Sequence, residues 1–586
     1  MLRLFRYLKP YWLLAVVLMA ASGLMVWTTL ELPALMAKIV NDGIVTGDQT
    51  YIWQTGLTML LYATISSISA IVASFCSPRI GSFIARDLRN DIYKKVLSFS
   101  IAELDDFSTA SLITRTTNDV NQNYTTIVMC LTMLIRAPLM CIGAIVQAVN
   151  TAPDMTWIIA LAVVAILVCV IIILRLALPK FKLYQELIDK ITLKTRENLT
   201  GLRVIRAFNN QTLEQQKFER ENTRLKNTYF FIGQVMSFQD PLIMLIMNGT
   251  AILCIYVGIH YLRADISYLG DMMAFMQYAL QVIMAFLFMT VLFVMIPRAG
   301  VSAARINAVL GRKNHIKWLP KTKSRPSKTP EVEFKNVSFT YKNAKEPVLR
   351  DISFKATAGE TVAFIGSTGS GKSTLINLVP RFHDATSGEI LINKVDIKNY
   401  AKYDLMSKIG YVPQKGFLFS GSIKSNLRFG ADNATDEELR TAAKIAEADN
   451  FIQKLPEKYQ SHVAEGGSNL SGGQRQRLCI TRAIVKDPDI YIFDDAFSAL
   501  DLKTDRSLRQ NLRPVTKDSV TLIVAQRINT IKDADQIIVL SKGQKVGHGT
   551  HRELLNTCPI YQEIAKSQFS DAEYAAELKG EHGRSA

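Results

Sequence analysis

Long apolar runs alternate with polar stretches up to about residue 300, and beyond Arg312 the pattern becomes that of an ordinary soluble domain. Six runs stand out, approximately 11–39, 52–76, 127–149, 156–178, 234–262 and 268–296. Each reaches the roughly 20 residues that cover about 30 Å of hydrocarbon. Lipid offers no partners for backbone N–H and C=O groups, so these runs predict membrane-spanning helices. Two longer connections, 77–126 and 179–233, are rich in helix formers and lack Pro/Gly clusters. They predict helices that continue past the bilayer as levers, about 25 residues out and 25 back, reaching nearly 40 Å at ~1.5 Å per residue. Turns are expected near 107–113 and 206–211.

A chain of 586 residues exceeds one core, so at least two domains are expected. The divisions fall at 1–311 for the membrane part, 312–330 for a linker with five Lys and three Pro, 331–570 for the soluble domain, and 571–586 for a charged tail. The formal charge of +17 raises the question of nucleic acid, but the placement of the basic residues answers it differently. Eleven Lys and Arg lie in 180–226 alone, and Arg3, Arg6 and Lys9 precede the first run. The alternate loops near 40–52, 149–156 and 262–268 hold one Arg and no Lys. The positive-inside rule therefore puts the basic connections and both termini in the cytoplasm, with a lipid bilayer and not nucleic acid as partner. Cys76, Cys130, Cys141, Cys169, Cys254, Cys479 and Cys558 lack metal-ligand spacing and read as isolated thiols. The first run is too long for a cleavable signal and is followed by further spans. Glu31, Arg136 and Asp240 fall within or near spans, where charge is costly and marks function by default. Glu31 and Asp240 are the better candidates for substrate contact; the alternative is a watery vestibule or an interface.

In the soluble part, 332–341 and 361–365 alternate or run apolar like strands. The second leads straight into Gly366, Ser367, Thr368, Gly369, Ser370, Gly371, Lys372, Ser373 and Thr374, then a helical stretch. This is the phosphate-binding loop in its proper context, strand before and helix after. Glycines let backbone N–H groups close around phosphate oxygens, Lys372 offers a point charge, and the Ser373 hydroxyl can ligate Mg²⁺. About 120 residues on, an apolar strand ends in Asp494 and Asp495, a second place for the metal. ATP with Mg²⁺ is the expected cofactor, and the fold class is a six-helix all-α membrane domain followed by an α/β P-loop domain.

Between these elements lies Leu470-Ser471-Gly472-Gly473-Gln474-Arg475-Gln476-Arg477. With the phosphate loop and Asp494 it resembles the signature of ABC transporters, and the whole chain is similar to bacterial multidrug-type exporters with one cassette per chain. The resemblance implies a multi-pass protein of a bacterial plasma membrane with a cytoplasmic cassette that hydrolyses ATP. It gives Tyr341 the adenine, Gln414 the Mg²⁺ and γ-phosphate, and Ser471, Gly472, Gly473 and Gln474 the partner's nucleotide. Asp501, in Ser498-Ala499-Leu500-Asp501, corresponds to the loop coupling two sites. Two cassettes closing head to tail are implied, so a second half-transporter on another polypeptide is expected.

Two positions depart from the pattern. Where active members carry Glu as the base that orients water, this chain has Asp495, one methylene shorter. Where they carry His, this chain has Gln526, in Val524-Ala525-Gln526-Arg527, which cannot take up a positive charge. A misplacement of ~1 Å at a catalytic group costs on the order of 10²-fold, so the expectation is a degenerate site that binds ATP and scarcely hydrolyses it. The signature is intact and can complete a competent site on a partner, which makes a heterodimer the economical arrangement. The expected function is ATP-driven export of amphipathic compounds, drugs included, with lipid or lipid-linked flipping and an ATP-gated regulator as alternatives.

Overall fold

A computed structural model describes residues 2–262, 268–323, 326–342 and 344–579. Arg263 of the third short loop, two positions of the linker and residues 580–586 of the tail lie outside the described residues. The chain divides into two compact units, 1–98 with 107–312, and 99–106 with 313–586.

Among the described residues, the first unit holds six helical stretches long and apolar enough to span a membrane: Arg6–Ile44, Gln49–Leu97, Thr109–Thr151, Pro153–Thr200, Gln211–His260 and Tyr268–Leu310. They overshoot the apolar runs, as the polar connections predicted. The helix Thr156–Thr200 has 45 residues, which at ~1.5 Å each is more than twice the hydrocarbon thickness. The breaks fall inside the expected tip segments but are narrower. Ser108 caps a helical turn, Thr109–Thr114, through a bond from the Ser111 N–H, so the first break is confined to 107–108, the start of the expected 107–113. At the second tip a short helix, Leu202–Ala207, intervenes before the turn at 208–210. The third stretch is not uniform: wide π turns occupy Arg115–Asp119 and Cys130–Leu134. Small residues on the third span, Ala144 and Ala148, are fully buried beside Ala274, Phe275 and Tyr278 of the sixth. Close helix approach through small residues is how such interfaces gain dispersion contacts in lipid.

The second unit is built on a six-stranded sheet ordered Gln544–Gly549, Gln536–Ser541, Thr361–Ile365, Val520–Val524, Ile490–Asp494, Ile409–Val412. All neighbours are parallel except the first pair. The central strands are buried along their whole length, with Val520–Val524 and Ile490–Asp494 hidden at every position. Such continuous apolar strands suit a sheet covered on both faces. A four-stranded antiparallel sheet, Leu349–Thr357, Glu331–Phe339, Ser387–Ile392 and Val395–Asp396, packs a second apolar cluster around Phe334, Phe354 and Phe364. The stretch after Ser570 is not a loose tail. A helix, Asp571–Lys579, forms there, and Lys532 reaches Glu577 at 3.0 Å. The segment Phe99–Asp106 belongs to this unit, with Glu103 fully buried and accepting hydrogen bonds from the Ser100 and His315 backbone N–H groups at 2.7 Å each.

Candidate functional site

The register of the central sheet sets the site. Phe364 and Asp494 both stand opposite Val524, so three neighbouring parallel strands end together. The segments that follow them carry Gly366–Thr374, Asp495 and Gln526 to one sheet edge. Carboxyl ends of parallel strands are where α/β sheets bind ligands.

The phosphate loop is fixed by close backbone approach. Gly366 has φ +156° and a Cβ there would lie 2.1 Å from the Leu540 carbonyl oxygen. Gly371 has φ +99°, and a Cβ would meet Leu349 at 2.8 Å. Ser367, Thr368 and Gly369 are exposed at the crest, while Ser370 and Gly371 are buried at the base. Lys372 opens the helix Lys372–Leu378 and is 9% exposed. Its Nζ donates to the Gly366 and Ser367 carbonyls at 2.8 Å and makes no ion pair among the described residues. Burial lowers its pKa, against the pull of Asp495 and Asp494. A buried ammonium turned into a loop of backbone dipoles fits a phosphate chain.

Ser373 Oγ donates to Asp494 Oδ1 at 2.9 Å, so two of the three expected metal ligands stand together. Burial raises the Asp494 pKa and the neighbouring Asp495 charge adds to it, while the Ser373 bond opposes both. No cluster of three or more His, Cys, Asp or Glu occurs among the described residues. The pair suits Mg²⁺, which takes one or two carboxylates and draws its remaining ligands from phosphates and water.

Asp495 sits at φ +48°, in left-handed backbone, with its N–H on the Val524 carbonyl. Its Oδ2 accepts from Gln526 Nε2 at 2.9 Å and from Gln414 Nε2 at 3.3 Å. Burial raises its pKa in spite of these bonds. Gln414, expected at the metal and γ-phosphate, stands beside Asp495, and the structure brings both departures from the family pattern into direct contact. Tyr341 meets Phe339 and His383 edge-on, and its hydroxyl lies 3.1 Å from Thr374 Oγ1. The ring is thus held at the loop's flank with part of its surface open.

Ser471 caps the helix Gly472–Val485 in a reciprocal box: the Gln474 N–H donates to Ser471 Oγ, and the Ser471 N–H to Gln474 Oε1. A Cβ at Gly472 would meet nothing within 4 Å, so the helix start is open. Asp501 caps the next helix by accepting from the Thr504 N–H, which with further local bonds lowers its pKa.

The family models for the ABC transporter transmembrane region and the ABC transporter domain match residues 13–286 and 349–498. An uncharacterized ABC transporter ATP-binding protein of Mycobacterium tuberculosis is 39% identical over 97% of this chain and 98% of its own length. The chain belongs to the ABC transporters. Within that family, an ATP-dependent lipid A-core flippase of Syntrophus aciditrophicus is 30% identical, covering 99% of this chain and 95% of its own. A solved bacterial Atm1-family ABC exporter with ATP bound has the same fold, with a TM-score of 0.78, 24% identity and coverage of 96% and 99%.

The transporter's membrane candidates separate. Glu31 is half-buried on the first span, and Asp240 is exposed near the start of the helix Gln239–Leu262. Neither lines the cavity of about 180 Å³ between the third and sixth spans, which Arg136 does. Sequence reasoning also missed Gln476, two residues beyond Gln474. It is 2% exposed, donates to the Pro413 carbonyl at 3.0 Å and accepts from the Gly416 N–H at 3.1 Å. It ties the signature helix to the loop of Gln414. Its place inside the quoted signature was the available signal.

Proposed function

We propose that this ABC transporter chain is one half of a heterodimeric exporter of amphipathic compounds, and that its own phosphate loop forms the poorly hydrolysing site. The observation that carries the reading is the pair of amide donors on one oxygen of Asp495. A base that orients water needs an oxygen free to accept from it and a side chain long enough to reach it. Here the carboxylate is short, and one oxygen is already taken by Gln414 and Gln526. Gln526 stays neutral and adds no positive charge at the γ-phosphate end.

The other roles follow the same geometry. Tyr341 stacks the adenine, and backbone N–H groups of 366–374 with Lys372 hold the phosphates. Ser373 and Asp494 hold Mg²⁺. Ser471, Gly472, Gly473 and Gln474 present an open helix start to the partner's nucleotide, with Asp501 beside it. Bound Mg²⁺-ATP supplies the transferable phosphoryl group and the charge compensation that this transfer needs. The six spans lie in a bacterial plasma membrane with both termini and the cassette cytoplasmic, since the basic connections fall on that side.

The test is co-purification with a second half-transporter, followed by ATPase and dye transport in vesicles. The expected result is ATPase that depends on the partner's cassette, with one nucleotide retained unhydrolysed per complex. Brisk ATPase from a homodimer of this chain would overturn the asymmetric reading. Lipid flipping is the second reading, favoured by the flippase relative; movement of a labelled lipid and not of dyes would select it. Partner-dependent ATPase without movement of either would select a gated regulator.

A further inference from the structure

In the cavity between the third and sixth spans an unpaired cation meets an apolar wall. Arg136, Met140, Gln281, Met284 and Phe288 line it. Arg136 makes no ion pair or hydrogen bond among the described residues, and Gln281 Oε1 is buried with no hydrogen-bond partner. Each is expensive at membrane depth. A buried acceptor and a free guanidinium on facing helices are complementary to a ligand that brings both an anion and a donor.

The local backbone explains how the arginine comes to be there. The π turn Cys130–Leu134 ends two residues before it, and Pro138 follows two residues after. An extra residue in a turn rotates the face that follows by about 100°. Pro138 has no N–H for the Leu134 carbonyl, which removes the bond that would restore regular winding. π turns of this kind concentrate at functional sites. On the opposite wall Gln281 and Met284 are one helical turn apart, with Phe288 one further turn along. Methionines offer an adaptable, polarizable surface to an apolar body.

We propose that this cavity is the head-group end of the transported-substrate site, and that it selects amphipathic anions carrying a hydroxyl or N–H donor beside a carboxylate or phosphate. Arg136 takes the anion with two parallel N–H donors, Gln281 Oε1 accepts from the neighbouring donor, and the apolar tail lies along Met140, Met284 and Phe288. The proposal rests on the exporter reading above and narrows its substrate class.

The experiment uses the full-length transporter in phosphatidylcholine nanodiscs. Equilibrium binding is measured for cholate and for lysophosphatidate, each beside its uncharged counterpart, methyl cholate and monoacylglycerol. Arg136→Gln should weaken the anions about tenfold or more and leave the uncharged compounds within about twofold. Arg136→Lys should recover most of the loss, and Gln281→Leu should weaken the hydroxyl-bearing anions severalfold. Binding of either anion with this pattern supports the class, and the pair tells a small acid from a lipid head group. Equal losses for charged and uncharged ligands, no loss in Arg136→Gln, or no anion binding to the parent protein would each overturn it. Binding of a fluorescent ATP analogue in the same nanodiscs reads the cassette separately. If that binding fails while anion selectivity survives, the ATP-driven reading is at fault and the cavity assignment stands.

Discussion

The phosphate loop and the corner around Asp495 lie at the same sheet edge, yet they are made of different material. The loop is shaped by backbone: a Cβ at Gly366 would stand 2.1 Å from the Leu540 carbonyl oxygen, and Gly371 holds φ +99° with the Val348 carbonyl 3.0 Å from where its Cβ would be. The corner is shaped by side-chain tips, with Asp495, Gln414 and Gln526 meeting at one oxygen. A backbone cradle has few ways to change without unfolding. A side-chain constellation changes its chemistry with one methylene and leaves the fold alone, which is why this chain keeps the first and departs at the second.

The sharpest way to break the contrast is Gly366→Ala. Its Cβ would stand 2.1 Å from a carbonyl oxygen, in backbone that side chains rarely adopt, so a loss of more than about 3 kcal/mol is expected. A thermal unfolding curve should show the loss, and nucleotide binding should vanish with it. A stable Gly366→Ala protein that binds ATP normally would mean the cradle is not fixed by its backbone.

The corner should respond in the opposite sense. Asp495→Glu combined with Gln526→His restores reach and a chargeable imidazole without touching the sheet. Hydrolysis at this site should rise on the order of 10²-fold, measured in a complex whose partner site has been disabled. Each single change should give less, because Gln526 left in place still occupies the lengthened carboxylate. No rise in the double variant would shift the cause from these two residues to the closure of the cassettes.

Glu103 makes a third point of comparison. It and Asp495 are both buried carboxylates, and burial works to raise both. At Glu103 the Ser100 hydroxyl and backbone N–H and the His315 groups outweigh it and hold the pKa at about 2; at Asp495 two amides do not. A depressed carboxylate pKa contributes stability that is present above the ordinary value of about 4.3 and lost as pH falls toward 2. Glu103→Gln should therefore loosen the Phe99–Asp106 segment by on the order of 2–3 kcal/mol at pH 7. Hydrogen exchange at the Ser100 and His315 amides should report it, with a smaller difference between the two proteins below pH 4. Equal protection in both proteins at pH 7 would remove Glu103 as the clasp.

The contrast also explains what could be read from the residues alone. Contiguous elements were legible: the loop 366–374, the signature 470–477 and the six apolar runs each carry their own pattern within a short window. Positions whose meaning depends on a distant partner were not. Nothing in the sequence says that Gln414 and Gln526, more than a hundred residues apart, meet on one oxygen of Asp495. The π turn ahead of Arg136, which sets the face the third span presents there, is likewise invisible in hydropathy. The helix Asp571–Lys579 looked like a tail because its polar sequence hides the anchoring of Glu577 by Lys532.

The smallest expected effect is the most discriminating. Asp495→Ala removes the residue at the position where active relatives place their base, yet turnover of the heterodimer should stay within about twofold. Three features argue for this. The carboxylate is short, one of its oxygens is committed to two amides, and the competent site draws its base from the other chain. Stability should hardly move either. Gln414 and Gln526 are exposed, so water replaces the lost acceptor, and removing a charge beside Asp494 relieves one of the causes that raise the Asp494 pKa. Replacing the partner's corresponding Glu should cost two orders of magnitude in the same assay. Should Asp495→Ala instead lower turnover tenfold, the corner is catalytic as it stands, and the division of labour between the two halves must be redrawn with this chain as a working ATPase.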